Sequence, residues 1–254
     1  MQQLTGKRGL IVGVANSQSI AWGCAHQLHA AGATSAITYL NHKAEPYVRP
    51  LAESIAAPLI LPCDVEQAGE LEAVFAAIQQ KWGRLDYLIH AIAYAPMQDL
   101  HGRVVDCSEA GFLRAMSVSC HSFIRMAKLA EPLMTQGGTL LTMSYYGAEK
   151  VIDNYGLMGP VKAALESTAR YLAVELAGQG IRVHAISPGP LPTRAASGIT
   201  HFDQLMTEAI DKSPLHRLAT PDDVGQLATF LVSDAARVLT GSTFYVDAGY
   251  NIVG

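Results

Sequence analysis

Short apolar runs rich in branched residues alternate along this chain with longer, alanine-rich segments whose apolar positions recur at helical spacing. A strand buried on both faces reads as a continuous apolar run, so the alternation predicts an α/β protein: a doubly wound, seven-stranded parallel sheet of Rossmann type with helices on both faces. Strands are expected at Leu10 to Gly13, Ala36 to Tyr39, Leu59 to Leu61, Tyr87 to His90, Thr139 to Met143, Arg182 to Ile186 and Thr243 to Val246. Helices fall between them: Ile20 to Ala31, stopped by Gly32; about Tyr47 to Ala56; Gln67 to Trp82; a long stretch from Ser108 to Met134, broken once; one carrying Lys162 to about Ala177; and one opened by Pro221. No repeat or low-complexity linker divides the chain, and 254 residues suit a single domain over 1–254.

Composition narrows the function classes. Half the residues are hydrophobic and 16% are charged, which suits a compact enzyme and argues against disorder. The net charge of −4 and pI near 6.1 favour neither nucleic acid nor an anionic membrane as partner. Cys24, Cys63, Cys107 and Cys120 lack CxxC or Cys/His spacing, so they read as small core residues in a reducing compartment and no metal is expected. With no signal-peptide pattern and no apolar stretch approaching the ~18 residues of a membrane span, the expected location is the cytoplasm.

In an open parallel sheet the ligand lies outside the carboxyl ends of the strands, so the residues just after each strand carry the candidate chemistry. After the first strand, Gly13 permits a tight turn and Ser19-Ile20-Ala21 opens a helix whose N–H groups can face a pyrophosphate, with the Ser19 hydroxyl as a further donor. There is no GxGxxG, and a plain strand-turn-helix junction explains this segment as well. The second strand runs into Leu40, Asn41, His42 and Lys43, with neither an acidic residue for a ribose nor an arginine cluster for a 2′-phosphate. That leans to NADH as cofactor, with Lys43 leaving NADPH possible. Asp64 and Val65, after the third strand, can meet an adenine amino group and pack on the base, or Asp64 can simply cap a helix. Small residues around Ile92, with Tyr94 and Ala95, let backbone approach a cofactor and border a substrate cavity. The proline-rich segment from Ser187 through Leu191, Pro192 and Thr193 to Arg194 can cover a nicotinamide and lead into a lid at about 190–212.

Tyr155 and Lys162 are the most informative pair. Seven residues of unbroken helix leave two side chains only about 20° apart around the axis, so a phenol and an ammonium would share one face. A cation near a phenol favours phenolate character and can also hold ribose hydroxyls. An amphipathic helix with a half-buried Tyr and a solvated Lys is the plain reading of such a pair. Pro160 lies between them, so either the helix begins late with Pro160 in its first turn or it is kinked. Tyr146 and Lys150 form a second tyrosine-lysine pair, but Gly147 and the β-branched Val151 and Ile152 disfavour a helix there.

Taken together, Gly13 with Ser19-Ile20-Ala21, Asp64-Val65, His90 to Pro96, Ser144-Tyr145, Tyr155 to Lys162, Ile186 to Gly198 and Val246 to Gly249 resemble the short-chain dehydrogenase/reductase superfamily. Within it the chain is most similar to the bacterial enoyl-acyl-carrier-protein reductases, because Tyr-x6-Lys with a tyrosine ten residues upstream replaces the usual serine and Tyr-x3-Lys. The resemblance implies reduction of the trans-2 double bond of enoyl-acyl-carrier-protein thioesters in the last step of fatty-acid elongation. It implies Tyr145, Tyr155 and Lys162 as catalytic residues. Gly13, Ser19, Ile20, Leu40, Asp64, Val65, Ile92, Lys162 and Leu191 to Ala195 would bind the dinucleotide, and Tyr94, Ala95, Tyr145 and Tyr155 the acyl substrate. A homotetramer and an acyl carrier protein partner, docking through Arg194, His201 and Lys212, also follow from it. The competing expectations are a carbonyl or alcohol dehydrogenase of the wider superfamily and a non-catalytic nucleotide-binding scaffold.

Overall fold

The computed structural model describes residues 3–193 and 202–253. Seven strands form one parallel sheet in the order β3-β2-β1-β4-β5-β6-β7: β1 Arg8–Val12, β2 Thr34–Tyr39, β3 Ile60–Pro62, β4 Tyr87–His90, β5 Gly138–Met143, β6 Ile181–Pro188 and β7 Thr243–Val246. The chain winds outward from β1 to β3, returns, and winds the other way from β4, so the order reverses between β1 and β4, whose register pairs Val12 with His90. A reversal of this kind opens a crevice at the strands' carboxyl ends, because the connections on either side leave in opposite directions.

Alternation along the strands sorts the core into two layers. Ile11, Ile37, Ile89, Leu141 and Ile186 face one layer, shared with α1 (Ile20–Ala30), α2 (Glu45–Ser54) and α9 (Pro221–Val232). Leu10, Val12, Leu88, Leu140 and Val183 face the other, filled by α3 (Glu70–Trp82), α6 (Ser122–Ala130) and α7 (Met158–Leu176). Period two in the strands against 3.6 in the helices is what lets one sheet bury both faces.

All seven strands appear where the apolar runs place them, with β6 extended through Pro188 into the crevice. The expected break between Ser108 and Met134 is a π-helical turn at Ser117–His121, between α5 (Glu109–Met116) and α6. The short α4 (Met97–Leu100) and α8 (Phe202–Lys212) complete the helices among the described residues.

The main correction concerns Tyr155. It is not on a helix with Lys162, because α7 begins only at Met158 and Pro160 lies in its first turn. Proline has no N–H to donate and its ring clashes with the carbonyl four residues back, so the helix starts where the proline costs nothing. Asn154 at φ 60° and Gly156 at φ +41° turn the chain just before it. Tyr155 and Lys162 therefore do not meet as neighbours on one helical face.

Candidate active site

The carboxyl ends of β1, β4, β5 and β6 surround a cavity of about 340 Å³ lined by Ile20, Ile92, Tyr94, Ala95, Tyr145, Tyr155, Lys162, Leu191 and Thr193, among others. That volume lies within the range of small-molecule sites. Gly13, in the turn after β1, abuts the lining residue Ala91: φ is +114°, and a Cβ there would sit 2.2 Å from the Ala91 carbonyl oxygen. Only glycine allows the β1 turn to approach the β4 backbone this closely.

Tyr155 reaches the cavity from the loop before α7, and Lys162 from the second turn of the helix. Both are buried, at 8% and 5% exposure. The Lys162 Nζ donates to the Met143 carbonyl at 2.6 Å. Burial pulls its pKa down to about 8, against the opposing pull of the Glu166 carboxylate. The Tyr155 phenol is pushed up by burial first, then by the charges of Tyr145 and Glu166. Burial and these neighbours favour the neutral phenol over the phenolate character expected from a neighbouring cation.

Tyr145 follows β5 in extended conformation, and its ring meets that of Tyr155 edge to face at 4.8 Å. Gly147 makes room: a Cβ there would lie 2.5 Å from the Tyr155 ring. The Tyr145 hydroxyl is buried with no hydrogen-bond partner among the described residues. A buried orphan hydroxyl costs about 1–3 kcal/mol, a cost that an oxygen-bearing ligand in the cavity would remove.

Other expected residues take different places. The Ser19 hydroxyl accepts from the Ala15 and Asn16 N–H groups and donates to the Asn16 carbonyl, so it braces the turn rather than standing open to a phosphate. Asp64 does not cap α3, whose N-cap is Gly69; its carboxylate accepts from the Glu66 N–H. Val65 is half-buried and packs in part against the second core layer. Leu40 is 54% exposed at the end of β2. Leu40, Asp64 and Val65 thus follow the carboxyl edge away from the cavity, toward β3. Pro192 is exposed, and Arg194, Ala195 and His201 lie outside the described residues. Tyr146 sits in a separate cluster with Ala209 and Tyr250, away from the Tyr155 ring's own cluster.

Sequence reasoning missed several lining residues, among them Met143, Met158, Leu100 and Phe202. These are chemically anonymous apolar side chains, and no motif could have marked them. It also missed Glu166, which accepts a hydrogen bond from the Ser144 hydroxyl inside the protein. The signal was present, since Glu166 stands one turn after Lys162 on the same helix.

The family description that matches residues 13–251 is "Enoyl-(Acyl carrier protein) reductase". The chain belongs to this family. Over 98% of its length it is 47% identical to enoyl-(acyl-carrier-protein) reductase (NADH) 2 of Rhizobium meliloti, 93% of which is covered. Among solved structures of the family, the reductase of Anaplasma phagocytophilum in complex with NAD superposes with a TM-score of 0.95 at 49% identity, covering 99% of this chain and 96% of the other. The Bacillus cereus enzyme, solved with NADP+ and indole naphthyridinone, gives 0.97 at 44% identity with both chains fully covered. Family membership accounts for the whole chain, so the fold and the crevice are those of a dinucleotide-dependent reductase.

Proposed function

We propose that this chain reduces the trans-2 double bond of enoyl thioesters carried by acyl carrier protein, with NADH as the cofactor, through Tyr155, Lys162 and Tyr145. The observation that carries the reading is the meeting of a buried phenol and a buried ammonium in one cavity beside an unpaired tyrosine hydroxyl. The residues fit a nicotinamide dinucleotide: Gly13 lets the turn after β1 close against the β4 backbone at the sheet's reversal, and Lys162 is a buried donor suited to ribose hydroxyls. When bound, the dinucleotide supplies the hydride that reduces the β-carbon.

This chain's own residues do the rest. Neutral Tyr155 donates a hydrogen bond to the thioester oxygen, where negative charge collects as the double bond is reduced. The unpaired Tyr145 hydroxyl lines the same oxygen region, and its ring fixes that of Tyr155. Lys162 orients the cofactor, and the apolar lining, including Met143, Leu100 and Phe202, keeps water from the reacting carbons.

Gly13, Ser19, Leu40, Asp64 and Val65 would follow the dinucleotide along the sheet edge, with Ser19 acting through the turn it braces. Ala95 and Tyr94 border the acyl chain. Residues 1–254 are read as one domain, since all seven strands share one sheet. The segment 190–212 is read as a lid, since Phe202 at the start of α8 lines the cavity. The homotetramer and carrier docking through Arg194, His201 and Lys212 follow from the family likeness, and the cytoplasmic location is carried over from the sequence pattern; light scattering checks the first. No helix among the described residues is long and apolar enough to cross a membrane.

The deciding measurement is NADH oxidation with crotonyl and dodecenoyl thioesters. Tyr155→Phe should lower kcat by about 10²–10³, as for loss of one oxyanion donor, while NADH still binds. Lys162→Ala should weaken NADH binding. Turnover of acetoacetyl but not crotonyl thioesters would reassign the site to carbonyl reduction.

A further inference from the structure

Two side chains one turn apart on α7 grip consecutive residues at the end of β5. Lys162 donates to the Met143 carbonyl at 2.6 Å, and Glu166 accepts from the Ser144 hydroxyl. The next residue is Tyr145, whose ring packs on Tyr155. Ser144 is tied from its other side, its N–H donating to the Ile186 carbonyl at 2.7 Å. Lys162, Glu166 and Ser144 are each 5% exposed. A buried carboxylate costs several kcal/mol unless it is well paired, so its retention here calls for a reason.

We propose that Glu166 is a positioning residue of this reductase site, which through Ser144 fixes the segment Met143–Tyr145 and sets a carboxylate one helical turn from the Lys162 ammonium. The proposal rests on the reading of Tyr155, Tyr145 and Lys162 given above. Two effects run through the one side chain. The hydrogen bond sets where Tyr145 leaves the strand, and with it the ring that backs Tyr155. The charge acts on the ammonium one turn away, where burial alone disfavours the cation.

The charged and polar groups around Glu166 come from several elements: Ser144 after β5, Thr243 on β7, Glu149 in the loop before α7, and Arg170 and Lys162 on α7 itself. Burial and Glu149 push the Glu166 carboxyl up, while Ser144, Thr243 and Arg170 pull it down. Around Lys162, Cys120 supports the cation, and buried His90, on which Lys162 acts in turn, stays neutral with a pKa near 3.

Four variants in the full-length enzyme separate the two effects, each checked for folding by thermal melting. Glu166→Ala loses bond and charge, and kcat should fall roughly ten-fold or more, as for a lost buried hydrogen bond at a reacting group. Glu166→Gln keeps an acceptor for Ser144. It should recover most of that kcat, yet the alkaline limb of kcat/KM for NADH should still move down by about half a pH unit or more. Ser144→Ala should lower kcat without moving that limb. Tyr155→Phe in the same assays tests the underlying reading: if it turns over like wild type, the site assignment fails and the proposal with it. If Tyr155→Phe is impaired but Glu166→Gln leaves the alkaline limb in place and Ser144→Ala leaves kcat unchanged, Glu166 only holds the fold and the proposal alone is overturned.

Discussion

At the residue scale, Lys162 couples activity and stability to pH in opposite directions. Its folded pKa is about 8 against an ordinary 10.5. Below pH 8 the amine is charged in both folded and unfolded chains, and the burial penalty is fully present. Between 8 and 10.5 the unfolded chain binds more protons, so this group's contribution to stability rises with pH. On the role proposed for Lys162, cofactor capture behaves the other way, because the cation is what holds the ribose. In the free enzyme kcat/KM for NADH should therefore fall above an apparent pKa near 8, with no loss of melting temperature attributable to this group over the same range. A pH-rate profile alongside melting curves checks this; a profile flat to pH 10 would show that the ammonium is not what holds the cofactor.

At the element scale, the crevice depends on how closely α1 can lie against α9. The two helices cross through glycines. A Cβ on Gly23 would lie 2.1 Å from the Pro221 carbonyl oxygen, and one on Gly225 would lie 2.3 Å from the Gly23 carbonyl oxygen. Backbone meets backbone there, so no flexible side chain can yield. Gly23→Ala must push the helices apart, and overpacking of this sort costs about 1–3 kcal/mol. The expected result is a fall in melting temperature of roughly 2–12 °C for a chain of this size. Because α1 carries Ile20 into the cavity, NADH affinity should weaken as well. An unchanged melting temperature would mean that the crossing is looser than the backbone contacts indicate.

The same scale shows where sequence reading succeeds and where it stops. Strand runs such as Tyr87–His90 are legible because burial on both faces leaves an unbroken apolar signal. The start of α7 is not, since Pro160 admits either a kink or a late start, and only the turn at Asn154 and Gly156 decides between them. Tyr155 and Lys162 were legible as a chemical pair, but the geometry that joins them comes from a non-helical turn that runs directly into α7. The Glu166–Ser144 contact spans 22 residues, and a carboxylate on an alanine-rich helix looks like solvated charge until its burial is known.

At the scale of the whole molecule, the cofactor crevice lies at the reversal between β1 and β4, where the two oppositely wound halves of the sheet adjoin. A dinucleotide lying along that edge would touch the turn after β1, the loops after β2 and β3, and the cavity lined from β4, β5 and β6. Ligand contacts made only by the folded chain stabilise it by mass action, about 2.7 kcal/mol at a free concentration 100 times Kd. For a chain of this length that is a rise in melting temperature of roughly 5–11 °C. The end of β2 is where the two dinucleotides should be told apart. Leu40 is exposed there, and the nearest guanidinium on the following helix, Arg49, is held by Glu45 in an ion pair, leaving Lys43 as the nearby cation for a 2′-phosphate. One flexible ammonium binds a phosphate less well than a bidentate guanidinium. NADH should therefore raise the melting temperature at lower concentration than NADPH, and Lys43→Ala should weaken NADPH alone. Equal shifts with both cofactors, or an equal loss of both in that variant, would show that the β2 end does not read the 2′ position.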